Sequence, residues 1–448
     1  MFERSDTILF LDDEAIARTV RLSRIWEKPR KFGPVLRPDR PWEGHCAILY
    51  GSVLPRLDGG YEMWYQNFSR IERGPRRAMF GYATSADGVN WEKPSLGLVE
   101  HAGSRDNNII LVALGTGWLS TLSVIRDDRE YREERRYKML LSTSQEPGGP
   151  GLYAAFSPDG IRWKLHPDPV LSSASDRTTL LHDPDGPCPF IAFTRRHGPE
   201  MRAEFRGRVV YRSESADFLT WSDPEPMLAP DLDDPWDVQF YGLPAFRYRD
   251  LYLGGLKRLW TTPDRIDTEL VVSRDTRTWR RTRQAFLENG PGHAWDRQWI
   301  ALASSPPIEH GRDLWFYYEG RESAHGLDYP FPKGAIGMAT LRRDRFAALE
   351  AGPEGFLVTR PFAWTGGRLL LNAAVRVGSG YVRAEVLDDE GAPVPGLTYA
   401  DAVPFAGDQL DWEPAWTGDA SLDVVKGRTI GLKVYLAGAR LYAIARAT

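Results

Sequence analysis

Acidic residues stand just ahead of apolar, strand-like segments at four distant places in the chain: Glu43 in PWEGHCAILY, Asp176 in SDRTTLL, Asp237 in PWDVQFYG and Asp296 in AWDRQWIAL. Three of them follow a tryptophan directly, namely Trp42, Trp236 and Trp295. Carboxylates brought together raise one another's pKa, so one holds a proton while another stays ionised. Cleavage of a glycosidic bond needs that division of labour. One acid protonates the leaving oxygen and the other attacks or activates water. The catalytic set expected here is therefore Asp176, Asp237, Glu43 and Asp296, in that order. Glu43, with the longer side chain, is the general acid. Asp176 or Asp237 is the nucleophile or base, and Asp296 orients it. Each acid taken singly also has an ordinary reading, as a turn cap or the partner of an arginine.

Other residues are expected to bind substrate. Trp42, Trp236 and Trp295 offer flat apolar faces for a sugar ring. Tyr241 follows Asp237 by four residues and shares its face of a strand. Arg195 in FTRRH, together with Glu319, Arg321 and His325 in YYEGRESAHG, completes the group. In the second unit, which lacks an acid, Thr121 and Ser123 take the equivalent place. No HExxH, P-loop, GxGxxG after a strand or GxSxG elbow occurs. The eight histidines are scattered without metal-ligand spacing, so neither a metal nor a cofactor is expected.

Gathering residues so far apart requires a repeating scaffold, and the sequence carries one. SADGVNW (85–91), SPDGIRW (157–163), SADFLTW (215–221) and SRDTRTW (273–279) all read Ser-x-Asp-x-x-x-Trp and recur at intervals of roughly sixty residues. Each ends a strand-like segment. Ser and Asp side chains bond nearby amides and close tight turns, so the motif predicts a structural hairpin. A fifth segment, GAIGMATLRRD, reaches Asp344 without the Trp. Between copies the order is strand, turn, strand, strand, hairpin, strand. Five repeats of four short antiparallel strands predict an all-β fold with a five-bladed β-propeller over residues 1–350. Asp12 and Asp13 are expected in a turn that closes its ring. After about Ala351 the repeat stops and alternating segments with clear turns predict a β-sandwich over 351–448.

Composition agrees with this class. The 448 residues include 16 Trp, 18 Tyr and 19 Phe beside 42 Gly and 33 Pro, which suits many short strands and turns. A formal net charge of −4 and the lack of a basic run interleaved with aromatics argue against nucleic acid or an anionic membrane as partner. Cys46 and Cys188 sit in no zinc or CxxC spacing and are expected to be reduced structural thiols. The acidic N-terminus MFERSDTILFLDDEAIA does not read as a signal peptide, so a cytoplasmic location is expected.

The layout resembles the glycoside hydrolase clan that includes families 32, 43 and 68. SADGVNWEKPSLGLVEHAGSRDNNIIL (85–111), YYEG (317–320) and GFLVTRPFAWTGGRLLLNAAV (355–375) are similar to a bacterial group related to family 32. The resemblance implies a hydrolase of fructosyl- or arabinosyl-type furanosides or a similar small glycan. The catalytic motifs of family 32 are not matched. LDDEAI stands where Asn-Asp-Pro-Asn is usual, Arg126-Asp127-Asp128 lacks the proline, and no Glu-Cys occurs, so no catalytic residue carries over. The Ser-x-Asp motif is also similar to the sialidase aspartate box, one residue longer. Two alternatives stay open: a propeller that binds carbohydrate without cleaving it, and a transferase or phosphorylase on the same scaffold, for which Arg195 and Arg321 would supply basic groups.

Overall fold

The computed structural model of the protein describes residues 7–69, 77–112, 119–143, 149–171, 177–197, 207–326, 333–376 and 378–447. Among them regular structure is β-strand apart from three short 3-10 turns, and the protein is all-β. No helix is long and apolar enough to cross a membrane. The chain divides into two compact units. One comprises 29–308 with 315–340, and the other 1–28, 309–314 and 341–448.

The larger unit holds a five-stranded, two four-stranded and one ten-stranded sheet, and the ten-stranded one consists of two antiparallel strand groups joined by a parallel bridge between Ile266 and Trp299. The first group contains Ala47–Ile48, Tyr61–Ser69, Arg77–Ser85 and Ile109–Val112. The second contains Leu119–Arg126, Tyr137–Thr143, Gly151–Ser157 and Lys164–Leu165. The third contains Thr179–His182, Phe190–His197, Arg208–Ser215 and Glu225–Leu228. The fourth contains Val238–Gly242, Leu251–Trp260, Arg265–Ser273 and Arg280–Leu287. In the fifth, Trp299–Leu302, Asp313–Arg321 and Gly334–Arg342 are joined by Arg30–Leu36 from the other end of the chain.

Apolar side chains stack each group on the next. Trp64, Phe80, Tyr137 and Tyr153 join the first to the second. Leu140, Leu180, Phe190 and Phe218 join the second to the third. Phe193, Val210, Val238 and Leu256 join the third to the fourth, and Leu259, Ile266, Trp299 and Ala301 join the fourth to the fifth. The cycle returns to its start through Leu36, Ile336 and Met338 packed on Ala47, Met63 and Tyr65.

All four Ser-x-Asp-x-x-x-Trp segments form the same hairpin. At the first, Ser85 Oγ accepts the amide of Gly88 at 2.8 Å, and Asp87 Oδ1 accepts those of Val89 and Asn90 at 2.9 and 2.7 Å. Trp91 Nε1 donates to Gly88 O at 3.1 Å. The other three repeat this set through Asp159, Asp217 and Asp275. The residue after the Asp is left-handed in every copy: Gly88 (φ 76°), Gly160 (74°), Phe218 (70°) and Thr276 (62°). Glycine takes that conformation without strain. Phe218 and Thr276 are held there by the ring of backbone bonds. The hairpins also fasten neighbouring groups. Trp64 Nε1 of the first donates to Gly160 O of the second at 2.7 Å, and Tyr317 Oη of the fifth donates to Gly88 O of the first at 2.7 Å.

The smaller unit has two sheets over one apolar core. Ser23–Trp26, Ala347–Ala351, Ala439–Ala447, Arg368–Val375 and Asp408–Trp412 form one, with Thr7–Leu9 paired to Ala439–Ala447. Ile16–Val20, Gly355–Thr359, Thr429–Ala437, Phe362–Ala363 and Tyr381–Leu387 form the other. Leu349, Leu371 and Leu441 of the first meet Leu357, Val382 and Val434 of the second. Thr7–Leu9, Ile16–Val20 and Ser23–Trp26 thus pair with strands that follow residue 346. Asp12 and Asp13 do lie in a turn, but it connects these strands and closes no ring of the larger unit. Asp13 Oδ1 pairs there with Arg24.

Candidate functional site

The described acids expected at one rim, Glu43, Asp237 and Asp296, share no hydrogen-bond or ion-pair partner among the described residues. Glu43 is fully buried, and both oxygens are in use. Oε2 accepts from the amides of Asp39 and Arg40, both at 2.9 Å, and from Lys93 Nζ at 2.7 Å. Oε1 accepts from Tyr65 Oη at 2.6 Å. Four donors thus occupy both oxygens of Glu43, where a general acid was expected. Asp296 is 3% exposed and accepts from Lys31 Nζ at 2.7 Å and from Tyr318 Oη at 3.2 Å. Asp237 is partly exposed in the turn before its strand, where Oδ2 accepts the amide of Thr262 at 3.3 Å. Asp176 lies outside the described residues. The physical reason is common to the three described acids. Each precedes its strand by one to four residues and is spent on local turn geometry or an ion pair.

The tryptophans beside them separate as well. Trp42 Nε1 donates to Asn108 Oδ1 at 2.9 Å, and Trp236 is 87% exposed. Trp295 stacks on Tyr318 at 5.6 Å and lines an open cleft of about 260 Å³ with Arg37, His45, Glu322 and Lys333. Thr121 and Ser123 stitch strands instead of lining a site. Their hydroxyls accept the amides of Thr178 and Leu180 at 3.2 and 3.0 Å.

The remaining expected residues do converge, and they bring others with them. Arg177 precedes the first strand of the third group and is 3% exposed. Its guanidinium lies on the ring of Tyr50 and 4.9 Å from the ring centroids of both Tyr241 and Trp299. Arg195 stacks over Tyr241 at 4.6 Å, and Arg321 over Trp299 at 3.9 Å. Arg321 also pairs with Glu319 Oε1 and donates to Tyr50 Oη at 3.3 Å. His325 Nε2 meets Tyr241 Oη at 2.8 Å, its ring stacks on Trp299 at 5.6 Å, and Nδ1 lies 3.5 Å from Asp264. Lys257 is 2% exposed and feels the charges of Arg177, Glu319 and Arg321. Four strand groups thus contribute: the first (Tyr50), third (Arg177, Arg195), fourth (Tyr241, Lys257) and fifth (Trp299, Glu319, Arg321).

Burial governs the electrostatics. It pushes Lys257 down to about 7, with the charges of Arg177 and Arg321 adding to the effect. It lowers His325 to about 4, again with help from neighbouring arginines, so the imidazole is neutral at pH 7. Arg177 falls to about 9 by burial and stays cationic at neutral pH. Several buried polar atoms find no hydrogen-bond partner among the described residues, including Glu319 Oε2, Arg177 Nε and Nη1, both amide atoms of Asn67, Gln66 Oε1 and Ser142 Oγ. Buried polar groups without a partner are uncommon in folded proteins.

Arg177, Lys257, Tyr50 and Trp299 escape a search keyed to acids. A different signal marks the place. In the first four groups the second strand starts opposite the Ser of its hairpin, at Tyr61, Tyr137, Phe190 and Tyr252. Five and six residues further on, each strand turns from apolar to polar: Gln66-Asn67, Ser142-Thr143, Arg195-Arg196 and Lys257-Arg258. Glu319 is the polar residue in the second strand of the fifth group, opposite Ala301. Among the described residues no group of three or more His, Cys, Asp or Glu is arranged to hold a metal ion.

The sequence matches no protein-family profile and none of the curated proteins. Among solved structures it is similar to one described as a glycoside hydrolase, at 16% identity and TM-score 0.49 over 70% of this chain and 92% of that one. It is similar to the catalytic domain of a Coprinopsis cinerea GH62 alpha-L-arabinofuranosidase at 14% identity and TM-score 0.48, over 70% and 97% of the two chains. The Bombyx mori GH32 beta-fructofuranosidase aligns over 94% of both chains at 12% identity and TM-score 0.46. Likeness at this level carries no argument about the reaction, and the chemistry has to come from the residues themselves.

Proposed function

We propose that the protein is a carbohydrate-active enzyme that cleaves the glycosidic bond of a furanoside or similar small glycan. In this reading the larger unit is a five-bladed propeller whose last blade is closed by Arg30–Leu36, and the sheets after about residue 350 are a β-sandwich completed by the first 28 residues. The observation that carries the reading is Glu319. It is a fully buried carboxylate with one oxygen held by Arg321, which stacks on Trp299 and donates to Tyr50, and the other unpartnered among the described residues. Fixing one oxygen orients the carboxylate and leaves the second to act on a substrate as base or nucleophile. The aromatic rings suit the apolar face of a sugar. Glycosidic hydrolysis needs a second carboxyl group, and Asp176, the chain neighbour of Arg177, takes that role. The test is release of sugar from a panel of aryl furanosides and pyranosides. Wild-type protein turns over at least one. Glu319→Gln and Asp176→Asn each lose activity while keeping the wild-type melting curve. Full turnover by either variant removes that residue from the mechanism.

One observation favours a second reading. Arg321 already pairs with Glu319. If the panel shows tight binding and no turnover, the site is a carbohydrate-binding one, in which Glu319 accepts sugar hydroxyls.

A further inference from the structure

The site that the proposed function centres on Glu319 has a charge imbalance that a neutral sugar does not relieve. Its buried cations are Arg177, Lys257 and Arg321, respectively 3%, 2% and 6% exposed. Against them the described residues set one carboxylate, Glu319, which is paired to Arg321, and with the Asp176 of the proposed function two acids stand against three cations. Arg177 has no carboxylate partner among the described residues, and its Nε and Nη1 are buried without an acceptor. Lys257 Nζ likewise makes no ion pair among the described residues. Its strand neighbour Arg258 shows what compensation looks like in this fold. Arg258 is held by both oxygens of Asp267 at 2.8 and 2.9 Å and by Glu269 at 3.3 Å.

Removing a cation from water without a counter-charge is costly, so buried charges are ordinarily paired. Aromatic faces replace part of the lost solvation of Arg177, and they fix its plane. They supply no acceptor for its N–H groups. A guanidinium held flat by Tyr50, Tyr241 and Trp299, with unpaired N–H groups and an ammonium nearby, has the donor geometry that carboxylates and phosphates recognise.

We propose that Arg177 and Lys257 form an oxyanion subsite. It takes the carboxylate of an acidic sugar or a phosphate group, with Arg321 and Glu319 on the reacting side. The shared chemistry is a tetrahedral or planar oxyanion accepting from a guanidinium and an ammonium. A sugar carboxylate would make the substrate a uronate-type glycan. Inorganic phosphate in the same place would make the co-substrate an anion instead of water. The identity of the reaction rests on the function proposed above, whereas occupancy of the subsite does not.

The experiment is calorimetric titration of the full-length protein with glucuronate, sulfate and inorganic phosphate, with glucose as the neutral control, at pH 6 and pH 8. Oxyanions bind and glucose binds at least about tenfold more weakly, since a charge-assisted bidentate contact is lost. Glucuronate favoured over phosphate identifies an acidic sugar, and phosphate favoured over glucuronate identifies an inorganic co-substrate. Sulfate and glucuronate do not titrate in this range, so their affinity reports the protein. It falls about tenfold from pH 6 to pH 8 as the Lys257 ammonium is lost. Lys257→Met removes that pH dependence, and Arg177→Gln weakens both anions at least about tenfold. Arg177→Lys keeps part of the affinity.

Both neutralising variants melt no lower than wild type, because they delete an uncompensated charge. A purely structural role for either side chain would lower the melting temperature instead. Anion binding no tighter than glucose, or unchanged in both neutralising variants, overturns the proposal. Loss of turnover in Glu319→Gln leaves these binding results unaffected, so failure of the hydrolase reading and failure of the subsite are separable.

Discussion

Glu43 and Glu319 are both fully buried glutamates, and their surroundings set their roles apart. Glu43 receives two backbone amides, a tyrosine and a lysine, whereas Glu319 keeps one oxygen unpartnered among the described residues. Removing one partner of a buried ion pair strands the other charge, at a cost of about 3–5 kcal/mol. Glu43→Ala is therefore expected to lower stability by about that amount, read by urea denaturation, because Lys93 is left with the Arg37 carbonyl and the exposed Asp39. Such a large loss at a residue ranked as catalytic is the mark of an anchor. The same contrast shows what was legible at this scale. Arg195, Glu319, Arg321 and His325 stand out in the sequence as polar residues at or just past the ends of second strands, and Tyr241 as the residue four on from Asp237. Sequence does not reveal that Lys93 and Lys31 reach Glu43 and Asp296 from distant segments of the chain.

The hairpin is the repeating element, and its energetics are local. Asp87, Asp159, Asp217 and Asp275 each accept two backbone amides, as a helix N-cap does. Replacing Asp159 by Ala is expected to cost about 1 kcal/mol, with a similar loss at Asp217, and to leave ligand affinity unchanged. Chemical denaturation and titration on the same samples check both halves. These bonds hold all four carboxyls below the ordinary aspartate range; at Asp87 the bond to Asn90 is the leading cause, while at the other three the bonds outweigh an opposing effect of burial. A depressed carboxylate stabilises the fold above its unfolded pKa and loses that contribution as pH falls through its folded value. Stability should thus decline below about pH 4, and less steeply in the Asp→Ala variants. This element was fully readable from Ser-x-Asp-x-x-x-Trp, because every bond in it lies within seven residues. The polar pair that ends each second strand is just as regular, but its meaning depends on register across the sheet, which a linear motif does not carry.

At the scale of the whole molecule, the larger unit depends on a strand from the beginning of the chain. Arg30–Leu36 pairs with Gly334–Arg342, and Leu36 packs with Ile336 and Met338 against the first strand group. Deleting residues 1–36 would bare the edge of the fifth group and also strip three strands from the smaller unit. The expected result is an aggregating product by size-exclusion chromatography. A soluble monomer would show that this pairing is dispensable. The repeat made the succession of strand groups legible. The return of Arg30–Leu36 to the last group was not, since RKFGPVL resembles no strand of the repeat and pairs across three hundred residues of chain.

The proposed chemistry centres on Glu319 and the cationic, aromatic cluster around it, with Asp176 as the second carboxyl group, and not on Glu43, Asp237 or Asp296. The most direct measurement is turnover per folded molecule of Glu319→Gln and Glu43→Gln beside wild type, on whichever glycoside of the panel is cleaved. The account predicts a loss of about 10²- to 10⁴-fold for Glu319→Gln and near wild-type turnover for folded Glu43→Gln. Full activity in Glu319→Gln together with loss in folded Glu43→Gln would contradict it and return the chemistry to Glu43.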